Sequence, residues 1–175
     1  MQPVIDKAKH IKLAIFDVDG VLTTGEVLYG AKGGEYKAFH IHDGFGIRLL
    51  QKVGIQIAII TAKESASVAS RVLDLGIQHF YQGQENKVPA YEDIKQKLQL
   101  SDQQISYMGD DFPDIPLLRR AGLAITVPNA PDVMRQYTDY VTTHKSGKGA
   151  VREICDLILK AQDLYMPMLN SYLNQ

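Results

Sequence analysis

The chain has 175 residues, 45% of them hydrophobic and 22% charged, the balance of one soluble globular domain. Such a length buries roughly 70% of the unfolded surface, so folding needs no metal or disulfide staple. Nineteen Lys and Arg against twenty Asp and Glu leave a formal charge of −1, which argues against electrostatic binding of nucleic acid, and the lone Cys155 excludes an intramolecular disulfide and suits a reducing compartment.

Residues 1–12 carry Asp6, Lys7 and Lys9 with no apolar stretch behind them, unlike a signal peptide. No apolar run approaches the roughly 20 residues of a membrane span, so a cytoplasmic protein with no membrane partner is expected. The apolar run Ile11–Phe16 predicts a buried strand that ends at Asp17. Residues 24–42 lack a helical period; arms at Glu26–Tyr29 and Glu35–Ile41 flank a glycine-rich stretch and predict a β-hairpin. Asp43 is placed to cap a helix carrying Phe45, Leu49, Leu50 and Val53, which Gly54 stops. A second strand, Gly54–Ile60, ends at Thr61, and a helix with Val68, Val72 and Leu75 on one face follows.

The stretch Gln78–Tyr81 is a weaker strand pattern, and Asn86 is placed to cap a helix carrying Val88, Tyr91, Ile94 and Leu98. Ile105–Met108 ends at an acidic turn, and Pro113–Ala121 reads as a short helix. Leu123–Val127 and Tyr140–Thr143 complete the strands. Lys148–Gln162 is the most periodic helix; Cys155, Tyr107 and Tyr140 read as packing residues. Residues 164–175, with Pro167 among Asn and Gln, read as a tail behind a single domain over 1–163. The alternation predicts an α/β fold: a Rossmann-like, doubly wound parallel sheet with the hairpin as a flap after the first strand. Ligands of such sheets bind beyond the carboxyl ends of the strands.

Polar clusters stand at those ends. Asp17-Val18-Asp19-Gly20 puts two carboxylates at the exit of an apolar strand. Alone, the pair suits a solvated turn as well as a hard-cation site. Gly109-Asp110-Asp111-Phe112-Pro113-Asp114 brings three more carboxylates, which repel one another unless a cation or solvent compensates, although Asp111 or Asp114 could simply cap the next helix. Thr61 and Lys87 add a hydroxyl and an ammonium at the same sheet edge. A nucleophile, a proton donor, a divalent cation and positive charge around transferring oxygens are the parts of phosphoryl transfer.

The string Ala14-Ile15-Phe16-Asp17-Val18-Asp19-Gly20-Val21-Leu22-Thr23 resembles the first motif of the haloacid dehalogenase-like superfamily. Thr61, Lys87 and Gly109–Asp114 match its second, third and fourth motifs in order, so the likeness spans residues 8–162. It implies Asp17 as nucleophile, Asp19 as general acid and then base, and Thr61 and Lys87 gripping the phosphoryl oxygens. The implied cofactor is Mg2+, held by the Asp17 carboxylate, the Asp19 backbone carbonyl and Asp110. Asp111 and Asp114 would hold metal-bound waters or brace Lys87. An Asp at position 19 implies a phosphatase, because superfamily ATPases that preserve the aspartyl-phosphate usually carry Thr there.

The chain has no room for a cap domain, which implies that a neighbouring subunit closes the site in a homo-oligomer, a tetramer with the hairpin in its interface. The hairpin, Asp43–Leu50 and Gly147–Glu153 resemble the 3-deoxy-D-manno-octulosonate 8-phosphate phosphatases of lipopolysaccharide biosynthesis. The implied partner is a phosphorylated sugar acid whose carboxylate needs a cation; Lys63, His42, Lys32 and Arg71 are the candidates. Ala62-Lys63 and His42 stand where that family usually has Gly-Arg and a basic Arg or Lys, which replaces a guanidinium fork with a point charge. A phosphatase of a nine-carbon keto-sugar acid is the alternative substrate class. A receiver-type phospho-acceptor domain is a further one, disfavoured because the double Asp follows the fourth strand and no lone Asp follows the third.

Overall fold

The apolar runs become the centre of a sheet because both of their faces are covered. In the computed structural model the described residues are 1–31 and 34–174, so the candidate Lys32 lies outside them. In chain order the elements are α1 (Gln2–Ala8), β1 (Leu13–Phe16), β2 (Leu28–Tyr29), β3 (Glu35–Tyr36), α2 (Ile41–Lys52), β4 (Gln56–Ile60), α3 (Ala66–Asp74), β5 (His79–Tyr81), α4 (Val88–Lys97), β6 (Ile105–Met108), α5 (Ile115–Leu118), β7 (Leu123–Thr126), β8 (Tyr140–Val141), α6 (Ala150–Ala161) and α7 (Tyr165–Leu173). The main sheet runs β5-β4-β1-β6-β7-β8, with every neighbouring pair parallel. The hairpin strands β2 and β3 pair antiparallel apart from it.

Alternation along β1 divides the core in two. Leu13 and Ile15 join Ala58, Ile60, Ile105 and Tyr107 against Tyr91 and Ile94 of α4 and Leu117 and Leu118 of α5. Ala14 and Phe16 join Ile57, Ile59, Met108 and Ile125 against Ile47 and Leu50 of α2, Val68 and Val72 of α3, and Ile154 and Ile158 of α6. Each aliphatic side chain so buried contributes about 1.5–3 kcal/mol. The chain winds outward from β1 to β5, then returns through α4 to lay β6 against the other edge of β1. That reversal opens a crevice between the ends of β1 and β6, the place where open α/β sheets bind ligands. The register pairs Phe16 with Met108, so Asp17 and Gly109 leave the sheet at the same level.

Two local expectations need correction, and one helix was not expected. Asp43 does not cap α2. The cap position is His40, and Asp43, 1% exposed, lies in the first turn. Its carboxylate instead accepts from the backbone N–H of Arg152 (2.7 Å) and Gly149 (3.3 Å), which serves the free N–H groups at the start of α6 across the helix pair. Residues 165–173 form α7, because Pro167 falls in the first turn, where no intrahelical partner is lost. Leu164, just before it, and its own Tyr165 and Met168 pack on the core although no residue of α7 is fully buried. Residues 2–8, for which the sequence pattern predicted nothing, form α1 with Pro3 in its opening turn. No helix among the described residues is long and apolar enough to cross a membrane.

Candidate active site

Asp17 follows β1 directly, and its backbone N–H donates to the Met108 carbonyl at 3.0 Å, which ties the loop after β1 to β6. Asp110 leaves β6 opposite it. Gly20 makes this approach possible: its φ is +85°, and a Cβ there would lie 2.0 Å from Asp110 Oδ2. Thr23 closes the same loop, accepting from the N–H of Gly20 (3.4 Å) and Gly25 (3.2 Å) and donating to the Val18 carbonyl (3.3 Å).

Lys87 comes from the turn before α4 and is buried, 3% exposed. Its Nζ lies 2.8 Å from Asp17 Oδ1 and 2.6 Å from Asp114 Oδ1. Asp114 is fully engaged: Tyr107 Oη donates to Oδ1 at 2.6 Å, and the N–H groups of Asp110 and Asp111 donate to Oδ2 at 3.0 and 3.1 Å. Tyr107 therefore does more than pack. Its hydroxyl anchors the brace of Lys87, and burial together with the nearby Asp114 carboxylate holds it well above the usual tyrosine range. Tyr140 likewise spends its hydroxyl, donating to Glu153 at 2.8 Å. Cys155 lies fully buried beneath Gly46, where a Cβ would meet its Sγ at 3.2 Å.

The electrostatics of the cluster are unbalanced. Carboxylate oxygens of Asp17, Asp110 and Asp114 lie within 4.8 Å of one another and face one ammonium. Burial, then repulsion from Asp114, pushes Asp17 up to about 7 against the pull of Lys87. Burial, then repulsion from Asp17, pushes Asp110 up to about 7 as well. Burial works against the charge of Lys87, but Asp17 and Asp114 outweigh it and hold its pKa above the ordinary lysine value. A hard divalent cation fits this donor set. It would restore both carboxylates to their ionised form, and Asp17 and Asp110 are the two that retain oxygens for it.

The remaining candidates are placed as follows. Thr61, 2% exposed, follows β4 next to β1; its backbone bonds Tyr81 and Gln84, which leaves the hydroxyl free of protein partners among the described residues. The carboxylate of Asp19 is not part of the three-Asp group: Lys37, from the flap, holds it with Nζ 2.5 and 2.7 Å from its two oxygens. Asp111 is exposed and caps the short turn at Phe112–Asp114, accepting from Phe112 N–H at 2.8 Å. None of the described carboxylate-binding candidates is drawn onto the cluster. Lys63 is exposed and makes no ion pair among the described residues. Arg71 is held by Asp74 at 2.8 Å and packs under Gly44 of α2. His42 lines a groove of about 540 Å³ along α6, beside His40, His144 and Arg152.

Two side chains that hold the candidate carboxylates, Lys37 on Asp19 and Tyr107 on Asp114, were not among the sequence candidates. Lys37 carried one signal, its position within the second arm of the predicted flap, Glu35–Ile41. Tyr107 carried none, because a tyrosine inside a buried strand looks like core.

A family model of haloacid dehalogenase-like hydrolases matches residues 75–154. The 3-deoxy-D-manno-octulosonate 8-phosphate phosphatase of Escherichia coli (strain K12) is 45% identical over 159 residues, 91% of this chain and 85% of that protein. The crystal structure of the phosphatase of that name from Moraxella catarrhalis, in complex with magnesium ion, phosphate ion and KDO, matches with a TM-score of 0.96 at 44% identity, covering 98% of this chain and 99% of that one. The cobalt-bound form of the deoxy-D-mannose-octulosonate 8-phosphate phosphatase from Haemophilus influenzae matches with a TM-score of 0.88 at 38% identity, covering 91% of this chain and 93% of that one.

The packing of Asp114 under Gly109 is open to direct test, since a Cβ at Gly109 would lie 2.4 Å from Asp114 Cγ. Gly109→Ala should cost about 1–3 kcal/mol, typical of overpacking, and lower Tm by roughly 3–10 °C in a thermal melt. An unchanged Tm would mean that Asp114 is not held there.

Proposed function

Because the chain belongs to the 3-deoxy-D-manno-octulosonate 8-phosphate phosphatases, within the haloacid dehalogenase-like hydrolases, we propose that it hydrolyses that ester to 3-deoxy-D-manno-octulosonate and phosphate with Mg2+ as its cation. The observation that carries the reaction is Lys87 Nζ 2.8 Å from Asp17 at the crevice between β1 and β6, with Asp110 opposite. The choice of sugar rests on the 45% identity to the Escherichia coli enzyme.

When bound by Asp17, Asp110 and the Asp19 carbonyl, Mg2+ supplies positive charge that offsets the carboxylates and the phosphoryl oxygens. The rest is work for the protein's own groups. An oxygen of Asp17 attacks phosphorus; the bond from phosphorus to the sugar oxygen breaks, and Asp19 gives that oxygen its proton. Lys87 and the free Thr61 hydroxyl hold the phosphoryl oxygens through the transfer. Water then attacks the aspartyl-phosphate, Asp19 takes a proton from it, and the bond between phosphorus and Asp17 breaks to release phosphate. Asp114, whose oxygens are already occupied, keeps Lys87 in place.

The flap supports a homotetramer built through it. Leu28, Tyr29, Tyr36 and Ile41 are 63–80% exposed, an apolar surface that a partner copy would cover while closing the crevice from water. A cytoplasmic location suits the single free thiol, which is buried. Sedimentation velocity at micromolar concentration should find the tetramer; a monomer that turns over at the full rate would remove the need for a partner.

The activity is tested by phosphate release from 3-deoxy-D-manno-octulosonate 8-phosphate, a nine-carbon keto-sugar acid 9-phosphate and simple sugar phosphates, with and without Mg2+. The eight-carbon ester with Mg2+ should be preferred, Asp17→Asn should abolish release, and Asp110→Ala should raise the Mg2+ concentration for half-maximal rate by roughly 10-fold or more. Undiminished release by Asp17→Asn would refute the nucleophile, and preference for the nine-carbon ester would refute the sugar.

A further inference from the structure

We propose that Lys37 is a positioning residue for proton transfer, a cation on the flap that keeps the Asp19 carboxyl aimed at the departing oxygen. The proposal rests on the phosphatase reading given above.

Three observations carry it. First, the contact is two-pronged: Lys37 Nζ lies 2.5 and 2.7 Å from the two oxygens of Asp19, and no other side chain among the described residues bonds that carboxylate. Asp19 stands on a loop beside Gly20, so without Lys37 its side chain would be free to turn. Second, the lysine side chain is shielded from solvent, unlike an ordinary surface lysine. Strand alternation accounts for this: Tyr36 points outward, 63% exposed, and Lys37 points inward. Third, the flap is fastened where it delivers Lys37. Ser65 Oγ donates to Glu35 Oε1 at 3.2 Å and Ser67 Oγ donates to the Glu35 carbonyl at 3.4 Å, while Glu35 Oε1 lies 3.4 Å from Lys37 Nζ. The flap thus spans from the start of α3, just past Thr61, to the general acid.

The chemistry gives this contact a purpose. As the bond from phosphorus to the leaving oxygen breaks, the proton passes from Asp19 to that oxygen, and Asp19 is left as a carboxylate. Lys37 holds that carboxylate through two charge-assisted hydrogen bonds. It remains in the same place for the second half-reaction, when it takes a proton from the attacking water. A general acid held in line matters most when the leaving oxygen is strongly basic, and least when the leaving group is stable as an anion.

A leaving-group series isolates this role from sugar binding, because substituted phenyl phosphates carry no sugar and no carboxylate. The quantity to read is kcat/KM, which reports steps up to departure of the alcohol, for phenyl phosphate against p-nitrophenyl phosphate. Lys37→Met should lose about 10-fold more on phenyl phosphate than on p-nitrophenyl phosphate, within the range general acids contribute, and Lys37→Arg should recover part of that ratio. Asp19→Asn sets the benchmark and should show the same split. Equal losses on both esters, or no loss, would overturn the proposal. A wild-type protein that cleaves neither these esters nor 3-deoxy-D-manno-octulosonate 8-phosphate would instead overturn the phosphatase reading, and an Asp19→Asn variant without the split would overturn the general acid; the proposal falls with either.

Discussion

One buried ammonium organises the site. Lys87 reaches from the start of α4 to Asp17 after β1 and Asp114 after β6, so three loops from separate parts of the chain share one charge. Burying such a group is costly unless its partners are well placed, and removing one partner of a buried pair costs several times more than an exposed pair contributes. The placement is enforced from behind. Tyr107 and two backbone N–H groups occupy the remaining lone pairs of Asp114, so it holds Lys87 and takes no other role. Lys87 in turn engages Oδ1 of Asp17. The doubly wound topology supplies the rest, because β1 and β6 end at the same level where the winding reverses.

The charge surplus that follows is the basis of function. Three carboxylates against one ammonium make the metal-free site want protons near neutral pH, and the same imbalance makes it a receptor for a small divalent cation. In the proposed mechanism, a cation held by this cluster would also let Asp17 meet, as an anion, a phosphate that would otherwise be repelled. Across the crevice the flap contributes an ammonium, Lys37, which pairs with Asp19 of the loop after β1 and holds that carboxylate apart from the three-Asp group.

Much of this was legible in the chain. Three buried strands, β1, β4 and β6, are apolar runs that stop at a polar turn, and those stops are Asp17, Thr61 and Gly109–Asp110. Spacing could not say which carboxylates meet. Asp114 joins Asp17 and Asp110 because a tight turn after β6 folds it back under Gly109, whereas Asp111, next to Asp110 in sequence, points to solvent. Asp43 looked like a local cap because a cap and a buried acceptor have the same residue type; its partners lie more than a hundred residues away. Lys37 is one of nineteen Lys and Arg, and only the fold of the hairpin distinguishes it from a solvated lysine. The carboxylate-binding candidates His42, Lys63 and Arg71 follow from the cationic charge that a sugar acid needs; within one chain Arg71 pairs with Asp74 and His42 lines the α6 groove, contacts that charge alone does not show.

The most direct measurement is the number of protons released when Mg2+ binds, read by calorimetric titration in two buffers of different ionisation enthalpy. Asp17 and Asp110 are pushed up to about 7, so the metal-free protein at pH 7 retains part of their protons, and a bound cation demands both as carboxylates. The expected result is release on the order of one proton per Mg2+ at pH 7, falling toward zero at pH 9, where both groups are already ionised. Mg2+ uptake with no proton release at pH 7 would contradict a cation seated between those two residues.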